Sequence, residues 1–231
     1  NHLGVQMFPL ETWGKRYMAA KVKQRNASDK DYYRIVASVD DTHITLTGGP
    51  NLPHTVPTLQ KSQIFEFSTD SDFAVEADQP ILVFQYMPAW GNLSGRYSPA
   101  EFPTGVSPSC PFAGGPDDVK CLGDANITPL VPVEQYRNDY IFYVPQTYTY
   151  NYIHVTAPLD AKLVLDGTPV TEALRPIGTT GFGRAIAPLK MPGNHRITAD
   201  KPFGLIGYGY SYATSYSYAG GLNLERINPI E

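Results

Sequence analysis

Apolar positions in this chain come in short runs or alternate with polar ones, and turn-forming residues cut them off before a helical period is established. The first part reads as strands over 17–22, 32–38, 42–47, 64–67, 72–77 and 81–87, and the second as strands over 140–144, 151–156, 161–165, 184–189, 195–199 and 203–210. Asp40-Asp41, Pro158 and Pro192-Gly193-Asn194 supply turn chemistry between them. One segment is ambiguous on pattern alone. In WGKRYMAAKVK, residues Trp13, Tyr17 and Lys21 are spaced as on one helix face, yet the segment also fits a strand.

An internal repeat resolves the ambiguity. YRIVASVDDTHITLTG (33–48) aligns without a gap on YIHVTAPLDAKLVLDG (152–167), at an offset of 119. FAVEADQPILVFQYMP (73–88) aligns on HRITADKPFGLIGYGY (195–210) at 122, matching Ala77-Asp78-Gln79-Pro80 with Ala199-Asp200-Lys201-Pro202. PLETWGKRY (9–17) aligns on PVEQYRNDY (132–140) at 123. Order is kept and the offset drifts little, so the chain reads as two copies of one unit, about 6–88 and 130–212. The partner of WGKRYMAAKVK runs into YIFYVPQ, which is β-branched, aromatic and closed by Pro, so both copies are read as strand. The expected fold is all-β: an internally duplicated pair of β-sandwich-like units, side by side or sharing sheets. The boundaries are 1–88 for the first unit, 89–129 for a connecting loop and 130–231 for the second.

The segment FGLIGYGYSYATSYSYAGGLNL (203–224) concentrates tyrosine. Ile206, Tyr208, Tyr210 and Tyr212 alternate and share one face, and Leu205, Gly207, Gly209 and Ser211 share the other. Phe84 and Tyr86 stand at the positions of Ile206 and Tyr208, so the first half reads as an ordinary strand with one aromatic face. The small residues opposite would admit a close neighbour. Beyond Tyr212 the alignment ends, and SYATSYSYAGG has no counterpart in it.

Composition narrows the function. Pro (21), Gly (20) and Tyr (16) are high, and the charged share, 17%, is below the usual quarter. A net charge of −4 with no basic run argues against nucleic acid, and no apolar stretch is long enough for a membrane helix. The opening, NHLGVQMFPLETW, has no initiator Met or signal peptide and reads as the interior of a longer chain, so other domains of a parent protein are expected partners. Cys110 and Cys121 sit in a Gly/Pro-rich loop, where they form a local disulfide in an oxidising compartment or stay free thiols in a reducing one. Three sequons, at Asn26, Asn92 and Asn126, are glycosylation candidates.

No cofactor or catalytic motif stands out. His2, His43, His54, His154 and His195 lie outside metal-ligand or nucleophile-elbow patterns, and turn or strand-edge roles account for them. GTTGFG at 178–183 lacks the strand and helix of a dinucleotide fingerprint. Asp117, Asp118 and Asp124 are the best group for calcium, without an EF-hand pattern; solvated turn positions explain them more simply. Glu11 and Glu134 share a repeat position, which favours a role in the fold.

What one copy has and the other lacks is the better functional candidate. The long connection 89–129 is the main unique element. Its Trp90, Arg96, Tyr97, Phe102 and Phe112 could stack on sugar rings, anchor a protein partner, or plug the loop onto the fold. Tyr216 and Tyr218 form a second candidate surface.

As a set, ADKPFGLIGYGY, SYSYAGGLNL and GDANITPLVPVEQYRNDYIFYVP resemble the IgGFc-binding protein N-terminal domain family. The resemblance spans nearly the whole chain. It departs at Ala125, where the family commonly has Pro after Gly123-Asp124. It implies a module of secreted or cell-surface adhesive proteins, non-catalytic, with a glycan or extracellular protein as ligand. No residue set for Fc binding maps onto the sequence. A structural spacer and a carbohydrate-active or lectin-like domain are the alternatives.

Overall fold

The computed structural model describes residues 3–90 and 122–228. They form two antiparallel sheets. The first runs β1 (Gly14–Ala19), β5 (Phe73–Met87), β2 (Asp31–Ala37), β4 (Ile64–Thr69), with β3 (Ile44–Gly48) and β6 (Asn126–Pro129) also pairing β5. The second is built on β13 (Gly193–Ser211), which pairs β7 (Arg137–Val144), β8 (Tyr150–Pro158), β9 (Leu163–Leu165) and β14 (Thr214–Ala219). Short β10 (Thr168–Pro169) extends β9, while β12 (Phe182–Leu189) and β11 (Arg175–Pro176) extend β8. The segment with helical spacing is strand β1, preceded by a 3-10 turn at Leu10–Thr12.

The second sheet repeats the pairing scheme of the first. β1·β5, β2·β5, β3·β5 and β2·β4 recur as β7·β13, β8·β13, β9·β13 and β8·β12. Individual hydrogen bonds recur too. The Tyr17 hydroxyl donates to the Ile81 carbonyl (2.5 Å) and accepts from the Gly14 N–H, as Tyr140 does with Phe203 (2.6 Å) and Arg137. Asp78 accepts the His43 N–H, and Asp200 accepts the Lys162 N–H (2.8 Å), which gives the shared Ala-Asp-x-Pro its structural role.

Three details differ from the sequence reading. The segments read as separate strands, 72–77 with 81–87 and 195–199 with 203–210, are joined through the Ala-Asp-x-Pro motifs. The motifs are irregularities inside single long strands, β5 and β13, where the register against β1 and β7 shifts. The gapless alignment of 33–48 on 152–167 hides a one-residue deletion. Tyr32 faces Tyr86 and Tyr152 faces Tyr208, so Tyr32, not Tyr33, is the counterpart of Tyr152. The shorter second-copy turn absorbs the residue, and the offset of 119 holds beyond it at β3 and β9. A slip of one residue exchanges the faces of a strand, so it changes which side chains correspond.

The third difference concerns the terminal tyrosines. SYATSYSYAGG does have a structural counterpart, the short strand β6. β14 pairs Ile206 with Ala219 and Tyr208 with Ser217, and β6 pairs Phe84 with Pro129 and Tyr86 with Ile127. The amide after each strand closes on β5 or β13 alike, Leu130 N–H on the Val83 carbonyl and Gly220 N–H on the Leu205 carbonyl. One hairpin turns tightly at Tyr212-Ala213; the other is opened by residues 88–125.

Each sheet has an inner face, Tyr33, Ile35, Ile81 and Val83 in the first and Ile153, Val155, Phe203 and Leu205 in the second. The sheets pack in the same sense, front to back. The inner face of the first lies on the outer face of the second, whose Tyr152, Ile206, Tyr208 and Tyr210 complete the main core. Ile177 plugs against Met18 and Ala74, and Glu134 accepts the N–H groups of Lys15 and Arg16 (2.9 and 3.2 Å), fastening the halves.

Candidate functional site

The tyrosine strand is the hinge of this packing. Tyr208 and Tyr210 are fully buried and grip the loop that leaves β1. The Lys23 N–H donates to the Tyr208 hydroxyl (2.9 Å), and the Tyr210 hydroxyl donates to the Lys23 carbonyl (2.8 Å). The Arg25 guanidinium lies over the Tyr210 ring, 5.1 Å from its centroid. Arg25 is wholly buried. It is forked on Asp29 (2.8 and 3.1 Å) and donates to the carbonyls of Leu122 and Pro88 at the two ends of the connection. Burial pushes the phenols of both tyrosines far above their ordinary value, so they act only as neutral hydrogen-bonding groups.

On the other face of β13, Gly207 and Gly209 leave room for rings from β14. A Cβ on Gly207 would stand 2.5 Å from the Tyr218 ring, and one on Gly209 would stand 2.5 Å from the Tyr216 ring. Those two rings stack on each other, and their hydroxyls donate to the Tyr143 carbonyl and to Asn151 Oδ1. Tyr216 and Tyr218 are thus half-buried packing residues.

Among the described residues, no strand of the second sheet packs on the outer face of the first. Trp13, Phe8 and Leu10 cover its Leu82 and Phe84 end. The other end is an open cleft of about 550 Å³ holding Tyr32, Arg34, Glu66 and Tyr86. These four stand on neighbouring strands, with Tyr32 opposite Tyr86 and Arg34 opposite Glu66. The Arg34 guanidinium lies over the Tyr86 ring, 5.4 Å from its centroid, and its Nε donates to Glu66 (2.7 Å). Tyr32 is 50% exposed. Burial raises the Tyr86 phenol, which stays neutral. Pro88, Ala89 and Ala125 rim the cleft, so the long connection leaves and re-enters the fold there.

A second cleft, of about 580 Å³, lies between the halves. It sets Lys23, Arg175 and Arg184 beside Asp70 and Glu172. Lys21 also lines it, and two of its cations are already paired, Arg184 with Asp72 at 2.9 Å and Lys21 with Asp31 at 2.7 Å.

Of the expected site residues, Trp90 is half-buried at the mouth of the connection. Arg96, Tyr97, Phe102, Phe112, Cys110, Cys121, Asn92, Asp117 and Asp118 lie outside the described residues. Asp124 accepts the Ala125 N–H, and among the described residues no three potential ligands cluster to hold a metal. Asn26 is buried, with Oδ1 accepting from Ser28, and Asn126 sits half-buried in β6. Sequence reasoning did not single out Tyr32, Arg34 or Glu66. The misplaced register had paired Tyr33 with Tyr152 and so hid the exposed counterpart of a buried tyrosine.

A family model described as IgGFc binding protein matches residues 1–209. No curated protein matches. Among solved structures, the apo form of a Pleurotus ostreatus lectin is similar at 12% identity and a TM-score of 0.27, covering 94% of this chain and 84% of that one. An anti-sigma factor domain-containing protein from Clostridium clariflavum is similar at 10% identity and a TM-score of 0.22, covering 90% and 82%. Neither structural likeness carries an argument. The sequence match does, because it spans nearly the whole chain: this protein belongs to the IgGFc binding protein family.

Proposed function

We propose that the chain is a non-catalytic binding module of a larger extracellular or cell-surface protein, and that it takes a glycan or protein ligand on the open outer face of its first sheet. The observation that carries this reading is the Tyr32–Arg34–Glu66–Tyr86 cleft at the root of the long connection. Aromatic faces beside a planar charged pair suit a saccharide, whose ring stacks while its hydroxyls bond to the charges. The cleft has one carboxylate among its described residues, Glu66, already paired with Arg34, whereas glycoside hydrolysis commonly uses two. Trp90, half-buried where the connection begins, would extend the same surface, and Arg96, Tyr97 and Phe102 are proposed as further ligand contacts.

The test is an array of glycans and extracellular proteins, immunoglobulin Fc included, probed with the intact chain. Binding that disappears in the Tyr32→Ala/Tyr86→Ala variant, with its melting temperature kept, supports the reading. Binding that survives that variant and also Trp90→Ala/Tyr97→Ala places the ligand elsewhere and refutes it.

A rigid spacer is the second reading. It draws on the interlock of the halves, in which one core takes residues from both sheets. A blank array in oxidising, reducing, calcium-loaded and calcium-free conditions would favour it.

A further inference from the structure

Lys21 follows β1, Asp31 opens β2, and their buried side chains meet between the sheets, with Lys21 also lining the cleft between the halves. Lys21 Nζ lies 2.7 Å from Asp31 Oδ1, and the two residues are 3% and 0% exposed. The other carboxylate oxygen, Oδ2, faces two donors, the Val22 N–H at 3.0 Å and the Gln85 amide at 2.6 Å. A second carboxylate, Asp29, has Oδ1 3.4 Å from the same Nζ. Asp29 is fully buried and held in place by the Arg25 side chain and N–H. These are the parts of a condensation site: a nucleophile, an electrophilic carboxyl, a pair of donors where negative charge develops, and a proton carrier.

We propose that Lys21 and Asp31 condense into an intramolecular amide, with loss of one water, after the chain folds. The step needs no co-reactant. A proton passes from Lys21 Nζ to Asp31 Oδ1, leaving a neutral amine and a neutral acid. The amine nitrogen bonds to Cγ, and the carbonyl electron pair moves onto Oδ2, where the Val22 and Gln85 donors hold it. Asp29 takes a proton from the nitrogen and returns it to the Oδ1 hydroxyl. The Cγ–Oδ1 bond breaks, water leaves, the Cγ–Oδ2 double bond re-forms, and Asp29 is a carboxylate again. Nothing is oxidised or reduced.

Two effects favour the reaction. Burying a charged pair carries a desolvation cost that the neutral amide does not. Fixed reacting groups also behave as if at very high concentration, up to about 10⁵–10⁸ M when well aligned. Burial raises Asp31 above the ordinary carboxyl range despite the Lys21 charge, which favours its acid form. For Asp29 burial opposes ionisation, but the Arg25 hydrogen bonds and the Lys21 and Arg25 charges outweigh it and hold Asp29 below that range. The closed ring would staple the loop that Tyr208 and Tyr210 grip, fixing the contact between the sheets.

Intact-mass spectrometry of the folded chain tests this. The expected mass is one water below that of the sequence. Proteolysis should give a branched peptide joining Lys21 to Asp31, with no tryptic cut after Lys21. Lys21→Arg and Asp31→Ala should restore the full mass. Asp31→Asn should lose ammonia instead of water, a signature that no ion pair reproduces. A folded wild-type chain at its full sequence mass overturns the proposal, whether or not the variants fold. A missing water that hydroxylamine reverses, or that maps to Asp166-Gly167 as a succinimide, overturns it equally.

Discussion

The outer faces of the two sheets occupy equivalent places in the fold and meet different neighbours. In the second sheet the positions are Tyr152, His154, Ile186 and Tyr208, and the first sheet covers them. In the first sheet they are Tyr32, Arg34, Glu66 and Tyr86, which no sheet covers among the described residues. The tyrosines recur, while the charged pair Arg34–Glu66 is replaced by the buried His154 beside Ile186. Residue choice follows exposure: a charged pair persists where water reaches it, and it gives way to an uncharged pair under a covering sheet. Among the described residues the front-to-back stack leaves the outer face of the first sheet without a covering sheet, and the long connection leaves and re-enters the fold beside it. Function is best sought where the copies diverge.

The sharpest way to break the comparison is to truncate equivalent tyrosines. Tyr208→Ala removes a fully buried ring and a partner of the Lys23 N–H, and should cost about 3–5 kcal/mol. Tyr86→Ala should cost less than about 1 kcal/mol, since its ring is only partly covered. Urea unfolding of both variants measures the difference, and equal losses would undo the distinction between covered and open faces.

Next comes the other side of β13. Gly209→Ala drives a Cβ against the Tyr216 ring and the Tyr150 carbonyl, and should cost about 1–3 kcal/mol by the same assay. The corresponding residue of the first sheet is Met87, which pairs with Asn126 where Gly209 pairs with Tyr216, and Met87→Ala should instead leave a cavity.

The charge exchange has a pH signature. Burial, with the Arg184 charge adding to it, lowers His154 from 6.5 to about 3. The unfolded chain takes up this proton below pH 6.5 and the folded chain does not. Stability from this group is therefore complete above pH 6.5 and falls on acidification toward pH 3, at up to about 1.4 kcal/mol per pH unit. The stability of His154→Leu should depend less on pH across that window. Smallest of all, Arg34→Ala should change stability by less than about 1 kcal/mol, because its partner is exposed to solvent.

Much of the architecture was legible in the alternation of side chains. Strands β2, β4 and β12 begin and end near their expected bounds, because half-buried strands must alternate, and β8 does so as an apolar run buried on both faces and bounded by turn residues. The assignment of Ile206, Tyr208 and Tyr210 to one buried face and Leu205 to the other follows from the same rule. β6 was not legible. Its four residues carry little pattern, and its identity comes from pairing with β5, a contact between segments separated by 88–125. The cleft was missed for a related reason. Sequence similarity aligned Tyr33 with Tyr152, and only the ladder of backbone hydrogen bonds places Tyr32 there.

The most direct test of the account is hydrogen-exchange mass spectrometry of the chain with and without a ligand taken from the array. The account predicts slowed exchange in β2 around Tyr32 and Arg34 and at the end of β5 around Tyr86, with β8 and β12 unchanged. Protection confined to the second sheet, or to the cleft between the halves, would contradict it.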